Sequence, residues 1–179
     1  MVARRHFSPA LFLCAVAIGV AGCGDGTAST SDLTAALRFD PCAPLTLILD
    51  ADATATERAG ARAAIDQWHA VAAVHATLAP NGAGASSGAT LSVRYLAAAA
   101  PDHGVFDPAS AAVFVNDDLA AEPAALAVTI AHELGHAFGL LHVIGRASVM
   151  NPGNLTITPD AADAAALVAA WGVCPTDAP

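Results

Sequence analysis

Hydrophobic and polar positions recur with two different periods along the chain, and these periods predict strands and helices in turn. The apolar run Leu45–Leu49, bounded by a proline and an aspartate, is typical of a buried strand. Alternation over residues 90–96 and 111–115 predicts two further strands. Residues 101–108 show no period and predict irregular structure.

Three helices are predicted from apolar positions three to four residues apart and from capping residues. The first begins at a capping-box pair, Thr54 and Glu57, and its apolar face continues to about Leu78. The other two helices are predicted over residues 123–138 and 159–171, the last with Thr158 as its cap. A strand–helix–strand start favours a right-handed crossover and a small, mainly parallel sheet.

Composition and charge narrow the classes of function. The chain has 179 residues, which suits one domain, and its apolar fraction of 55% is rich in alanine. After position 23 there are five arginines, no lysine and all sixteen acidic residues, so that part carries a net charge of −11. An acidic domain without a basic patch argues against nucleic-acid binding.

The first residues have the layout of a secretory signal peptide: two arginines, a short apolar run and then small residues. The run is too short for a typical spanning helix. Val20-Ala21-Gly22-Cys23 resembles a bacterial lipobox, in which the cysteine becomes the lipidated N-terminus. We therefore expect a signal peptide over residues 1–22, a flexible tether over 23–40 and a folded domain over 41–179. The alternative is an ordinary cleaved signal with Cys23 as a bystander.

Two cysteines, Cys42 and Cys174, remain for the exported domain. An oxidising compartment allows a disulfide between them, and a bridge closing so long a loop would contribute on the order of 4 kcal/mol. The alternative is that Cys42 is a thiolate ligand that blocks a metal site. We expect the exported protein to be anchored to the cell envelope or cell surface through Cys23, or otherwise to be secreted.

The string from His132 to His142 carries the candidate chemistry. His132 and His136 are four residues apart on a predicted helix, so both imidazoles project from one face. Glu133 can reach a water on a metal ion without being a ligand itself. Gly139 provides the helix exit, because glycine adopts left-handed conformations at little cost, and His142 returns as the third ligand. Three nitrogens with a fourth position open are typical of catalytic zinc.

This string, HExxHxxGxxH, resembles the zinc signature of the metzincin metallopeptidases. The segment Ser148-Val149-Met150-Asn151-Pro152, with Met150 eight residues beyond His142, resembles the Met-turn of the matrixin branch, the matrix metalloproteinase type. The resemblance covers most of the chain from Pro41 onward. It implies a matrixin-like catalytic domain on a bacterial lipoprotein, with Met150 as an apolar floor beneath the imidazoles.

The resemblance also implies a fold and an activity. The fold is α+β and zincin-like, with a small, twisted, mainly parallel sheet, an antiparallel edge strand and three helices. The activity is a zinc endopeptidase with one Zn²⁺, in which Glu133 is the general base for a zinc-activated water. A protein or peptide substrate is expected to pair with an edge strand near residues 111–115, and the protein is expected to be a monomer.

Some positions depart from the family pattern. Asp102 and His103 alone do not make the second, structural zinc site of matrix metalloproteinases. No tyrosine follows Met150, which argues against the astacin and serralysin branches. Asn154 stands where a matrixin often has a tyrosine that lines the specificity pocket.

Two alternatives stay open. Asp117 with Asp118, or Asp50 with Asp52, could bind Ca²⁺, although these residues are also typical of turns and caps. The protein could also be a surface binding module with structural zinc, or a hydrolase of another amide such as a cell-wall peptide. A purely structural zinc site would have no need of Glu133 and would fill the fourth position with a protein ligand.

Overall fold

Five strands form one mixed sheet in the computed structural model, which describes residues 39–80, 88–97 and 103–175. The described elements, in chain order, are β1 (Leu45–Leu49), α1 (Ala55–His69), β2 (Ala76–Leu78), β3 (Ala89–Leu96), β4 (Gly104–Asp107), β5 (Ala112–Asn116), a 3₁₀ helix (Asp117–Ala121), α2 (Pro123–Ala137) and α3 (Ala161–Trp171). The described part therefore has the predicted α+β class, with a five-stranded sheet and three α-helices.

The strand order is β2-β1-β3-β5-β4. Strands β2, β1, β3 and β5 pair in parallel, and β4 runs antiparallel to β5. The mainly parallel sheet with one antiparallel edge strand is confirmed. Because β4 is the last strand in this order, one of its backbone edges faces away from the sheet.

Helices α1 and α2 pack against each other and form much of the core around Trp68. The Trp68 side chain is fully buried, and its Nε1–H donates to the carbonyl oxygen of Ala131 at 2.9 Å. Its indole meets the ring of Phe138 edge to face, with centroids 6.1 Å apart. A buried tryptophan whose N–H is satisfied in this way combines a large apolar contact with a fixed orientation. Trp68 therefore fixes α1 against the helix that carries the candidate metal ligands.

Helix α1 is shorter than the apolar pattern predicts. It ends at His69, and the predicted continuation to Leu78 is wrong. The N–H of His75 donates to Pro41, and its carbonyl accepts from the N–H of Leu45, so the chain must be extended here to pair β2 with β1. Tertiary pairing thus overrides the helical tendency of an alanine-rich segment.

The segment predicted to be irregular contains the edge strand. Residues 104–107 form β4, whereas β5 lies inside the sheet between β3 and β4. The expectation that residues 111–115 supply the edge strand for a substrate is therefore wrong. A four-residue strand between two prolines carries too few alternating positions to stand out in the sequence.

The cap of α3 is Asp160, and the prediction of Thr158 is wrong. The Asp160 carboxylate accepts from the N–H groups of Ala162 and Asp163, and the Asp163 carboxylate accepts from the N–H of Asp160. This reciprocal pair is a capping box built from two aspartates. It moves the start of α3 two residues beyond the predicted cap.

Cys42 and Cys174 form a disulfide with their Cα atoms 5.0 Å apart, which confirms the predicted bridge. It removes the alternative in which a free Cys42 thiolate blocks the metal site. The proposed signal peptide, Cys23 and all of the tether up to residue 38 lie outside the described residues. None of the helices in the described ranges combines the length and apolarity that a membrane crossing requires.

Candidate metal centre

Helix α2 presents two imidazoles side by side. His132 and His136 are one helical turn apart, and their Nε2 atoms are separated by 3.1 Å. Residues four apart in an α-helix lie on the same face, so a rigid backbone sets this distance. His132 is buried and His136 is partly buried.

The chain reverses immediately after α2 and returns a third imidazole to the same point. Gly139 has a φ of 92°, its N–H donates to His136, and the N–H of Leu140 donates to the carbonyl of Gly135. This pair of bonds is a Schellman motif, for which a left-handed glycine is the usual solution. The Nε2 atom of His142 then lies 3.3 Å from that of His132 and 3.2 Å from that of His136. Gly139 has the predicted left-handed conformation at the helix exit.

The hydrogen bonds of two of these rings determine which nitrogen carries the proton. Nδ1 of His132 is 2.6 Å from the carbonyl oxygen of Val149, and Nδ1 of His136 is 2.8 Å from that of Leu140. A carbonyl oxygen only accepts, so each Nδ1 must donate, and in a neutral ring Nε2 then holds a lone pair. The two Nε2 lone pairs therefore face each other with no proton between them, an arrangement that a cation would stabilise.

Burial keeps these rings neutral. It lowers the pKa of His132, partly offset by the hydrogen bond to Val149, and it lowers the pKa of His136 to about 4. A neutral imidazole is the form that binds a metal ion.

The spacing also fits one ion. Three nitrogens at about 2.0–2.1 Å from a tetrahedral centre would be separated by roughly 3.3–3.4 Å, close to the three Nε2 separations given above. In the described ranges, these histidines are the one group of three or more His, Cys, Asp or Glu side chains whose donor atoms converge in this way. They could hold a metal ion, and the donor set of imidazoles suits zinc or another transition metal.

Glu133 lies beside the triad but is not part of it. Its side chain is buried, and burial raises the pKa of its carboxyl to about 7, although a hydrogen bond from the N–H of Phe106 in β4 lowers it in part. A Cβ atom added to Gly104 would lie 3.3 Å from Oε1 of Glu133. The edge strand therefore passes directly over this carboxyl group.

Glu133 and the three histidines line a common open cleft of about 470 Å³. Its remaining walls come from β4 and the residues on either side of it, from α2 and from the loop after Met150; they are His103, Gly104, Val105, Phe106, Pro108, Thr129, Pro152, Gly153 and Asn154. The size is within the range of ligand-binding clefts. The candidate metal position thus opens onto a space that can admit a substrate.

Met150, which the sequence resemblance expects to form an apolar floor beneath the imidazoles, packs against α2 at Gly135. It is 1% exposed, and a Cβ atom at position 135 would overlap its sulfur atom. Gly135, between the two helical histidines, is therefore what allows Met150 to pack against α2. Val149, its neighbour, supplies the carbonyl that receives Nδ1–H of His132.

Asp163 also belongs to this region, although the sequence did not point to it. Its side chain is 1% exposed and accepts hydrogen bonds from Ser148 Oγ at 2.6 Å, from the N–H of Val149 at 3.1 Å and from Arg146 at 2.7 Å. The spacing Asp160-x-x-Asp163 could have indicated the capping box. No local pattern indicates that the second aspartate also reaches the loop of residues 148–153, the Met150 loop.

Other candidate residues lie elsewhere or have structural partners. His69 and His75 do not join the triad. Asp117 and Asp118 occupy the first turn of the 3₁₀ helix and Asp50 is near Arg94. Among the described residues, no third His, Cys, Asp or Glu side chain joins either aspartate pair. The amide of Asn154 donates to the carbonyls of Val149 and Ile157, which fixes the loop at the cleft wall.

No known protein-family model matches the chain, and a search of curated proteins finds no similar sequence.

Proposed function

We propose that the protein is a zinc-dependent metalloendopeptidase of the metzincin type, with His132, His136 and His142 as ligands and Glu133 as the general base. The observation that carries this proposal is the convergence of three Nε2 atoms beside a buried carboxyl group at the floor of an open cleft. A structural zinc site would instead be closed by a fourth protein ligand. Zinc in this position would supply Lewis-acid chemistry, because it polarises a carbonyl group and acidifies water.

The Glu133 carboxylate moves the proton in this proposal. It takes a proton from the attacking water and delivers it to the nitrogen of the leaving amine. Its position beside the triad matters, because one carboxylate within reach of both atoms can accept the proton and then return it. The Phe106 N–H and the close backbone of Gly104 hold it in one orientation.

Strand β4 is the proposed docking edge for an extended peptide. It is the last strand of the sheet, it lines the cleft, and its backbone lies next to Glu133. Main-chain hydrogen bonds to such an edge would align a scissile bond beside the triad without requiring a particular side chain. Val105, 54% exposed in this strand, is placed to contact the substrate from the same edge.

We also propose that the protein is exported and held at a membrane by a lipid on Cys23. The Cys42–Cys174 disulfide supports an oxidising compartment, where such bonds persist. Labelling of cells with a radioactive fatty acid tests the anchor, with Cys23→Ala as the variant expected to lose the label.

Digestion of a peptide library by the zinc-loaded chain tests the peptidase proposal. We expect cleavage by the parent, and a loss of at least a hundredfold in Glu133→Gln with zinc still bound. The matched control is Glu122→Gln, which removes an exposed carboxylate just before the same helix and should cleave like the parent. A chelating phenanthroline should stop cleavage while its non-chelating isomer does not. Equal cleavage by parent and Glu133→Gln would overturn the mechanism, and no cleavage by either would overturn the activity.

A further inference from the structure

The carboxylate of Asp163 is the most completely hydrogen-bonded acidic group near the metal centre, although it belongs to the distant helix α3. It accepts from the hydroxyl of Ser148 and the N–H of Val149 in the Met150 loop, and from the N–H of Asp160 in its own helix. A capping box needs only the last of these bonds. The other two bonds connect α3 to the loop that contains Met150.

Hydrogen bonds from Asp163 and Ser148 hold three successive residues of that loop. Ser148 Oγ donates to Asp163 at 2.6 Å and accepts from the N–H of Met150 at 3.0 Å. The N–H of Val149 donates directly to the other carboxylate oxygen. One buried carboxylate therefore helps to set the backbone path through residues 148–150, together with the side chains of Asn151 and Asn154.

That path ends at a candidate metal ligand. The carbonyl oxygen of Val149 lies 2.6 Å from Nδ1 of His132 and accepts its proton. This bond selects the tautomer that leaves Nε2 free and sets the direction in which the ring points. A shift of the Val149 carbonyl would therefore turn the ring of His132 away from the other two imidazoles.

We propose that Asp163 is a positioning residue for the metal centre: through Ser148 and Val149 it holds the carbonyl that orients His132, and Arg146 stabilises its charge. The Arg146 guanidinium lies 2.7 Å from Asp163 and 3.5 Å from Asp160. A buried carboxylate costs free energy unless it is paired and hydrogen-bonded, and Arg146 supplies the pairing. This inference rests on the proposed metal centre, but not on peptidase activity.

Metal affinity of the apoprotein tests the inference. The full chain is freed of metal, and zinc binding is measured by competition with a chromophoric chelator. We expect Asp163→Asn to weaken zinc binding by about tenfold to a hundredfold, the usual effect of losing a partner that orients a ligand. Cobalt loading should show altered visible bands, because the coordination of His132 changes.

Glu57→Gln is the matched control. Glu57 is also a buried acid in a capping box, at the start of α1, and its carboxylate accepts from the N–H of Thr54 in that box. We expect Glu57→Gln to lower stability while zinc affinity stays within about twofold of the parent. Unfolding in urea, followed without metal, shows whether the two variants are destabilised to a comparable degree.

Two milder variants keep the test valid if Asp163→Asn does not fold. Ser148→Ala removes the hydroxyl relay and leaves the carboxylate, so zinc binding should still weaken. Arg146→Gln should weaken it less, because the guanidinium is partly exposed, and Arg146→Lys should restore most of the loss.

The outcomes separate the two proposals. If the parent binds zinc and both Asp163→Asn and Ser148→Ala bind it equally well, the positioning role is wrong and the metal centre stands. If Glu57→Gln weakens zinc binding as much as Asp163→Asn, the effect is general destabilisation and the inference fails. If the parent binds no ion, the metal centre and the positioning role are both overturned.

Discussion

Helices α1 and α3 both begin with a capping box, yet they are attached to the protein by different means. Six residues of α1 are buried, among them Trp68 at the centre of the core, whereas three residues of α3 are buried and one of these is Asp163. Helix α3 is fastened at its start by the Asp163 carboxylate and just past its end by the disulfide at Cys174. Apolar packing thus holds one helix, and polar and covalent bonds hold the other.

The difference bears on the metal centre. Helix α1 supports α2 from the core side, where Trp68 donates to Ala131 next to the first ligand. Helix α3 supports the Met150 loop through Asp163. Substitutions in α1 should therefore mainly lower the free energy of unfolding. Substitutions at the start of α3 should also change the arrangement of the three imidazoles.

Truncation of buried side chains should lower the free energy of unfolding the most, and by different amounts in α1 and α3. We expect Trp68→Ala to lower the free energy of unfolding by about 3–5 kcal/mol, because it removes a large buried ring. Leu167→Ala, in α3, should cost about 2 kcal/mol, because Leu167 borders a surface groove into which the structure can relax. Urea unfolding of both variants measures the difference. Equal losses would mean that packing holds both helices alike.

Removal of the disulfide that fastens the end of α3 should lower the free energy of unfolding by a similar amount. Replacing Cys42 and Cys174 together by serine opens a loop that spans 132 residues, and we expect a loss on the order of 4 kcal/mol. Reduction of the parent protein should shift its thermal midpoint by the same amount as the double variant. A loss of unfolding free energy below about 1 kcal/mol would show that the network at the start of α3 suffices to hold the helix.

Acid should lower the free energy of unfolding less than these substitutions do, because protonation neutralises the Asp163 carboxylate without removing the side chain. Burial alone would raise the pKa of Asp163, but hydrogen bonds from Ser148, Arg146 and the N–H groups of Val149 and Asp160 outweigh it and hold that pKa below its usual range. A lowered pKa in the folded state means that the carboxylate contributes stability above the unfolded-state value of about 3.9 and loses it at lower pH.

The check is the difference in unfolding free energy between the parent and Asp163→Asn as a function of pH. It should be constant from pH 7 to about 4 and should narrow as the pH falls further. A difference that stays constant throughout the acid range would contradict the assigned pKa direction.

The fold and the centre of the site were predictable because short-range patterns encode them. The helix with His132 and His136, the exit at Gly139 and the return of His142 all follow from spacing along 11 residues. The end of α1 at His69 did not follow, because it depends on the pairing of β2 with β1, a strand remote in sequence. Strand β4 did not follow either, because its four residues carry too few alternating positions to show a period. Asp163 was missed for the same reason: its partners in the Met150 loop lie about fourteen residues away.

Anomalous diffraction at the zinc edge, from crystals grown with one equivalent of zinc, shows whether the three imidazoles bind one ion. We expect one strong peak about 2.0–2.1 Å from the Nε2 atoms of His132, His136 and His142, with the fourth side of the ion facing the cleft beside Glu133. A peak that lacks any of the three imidazoles, or an ion whose fourth ligand is a protein atom, would contradict this expectation.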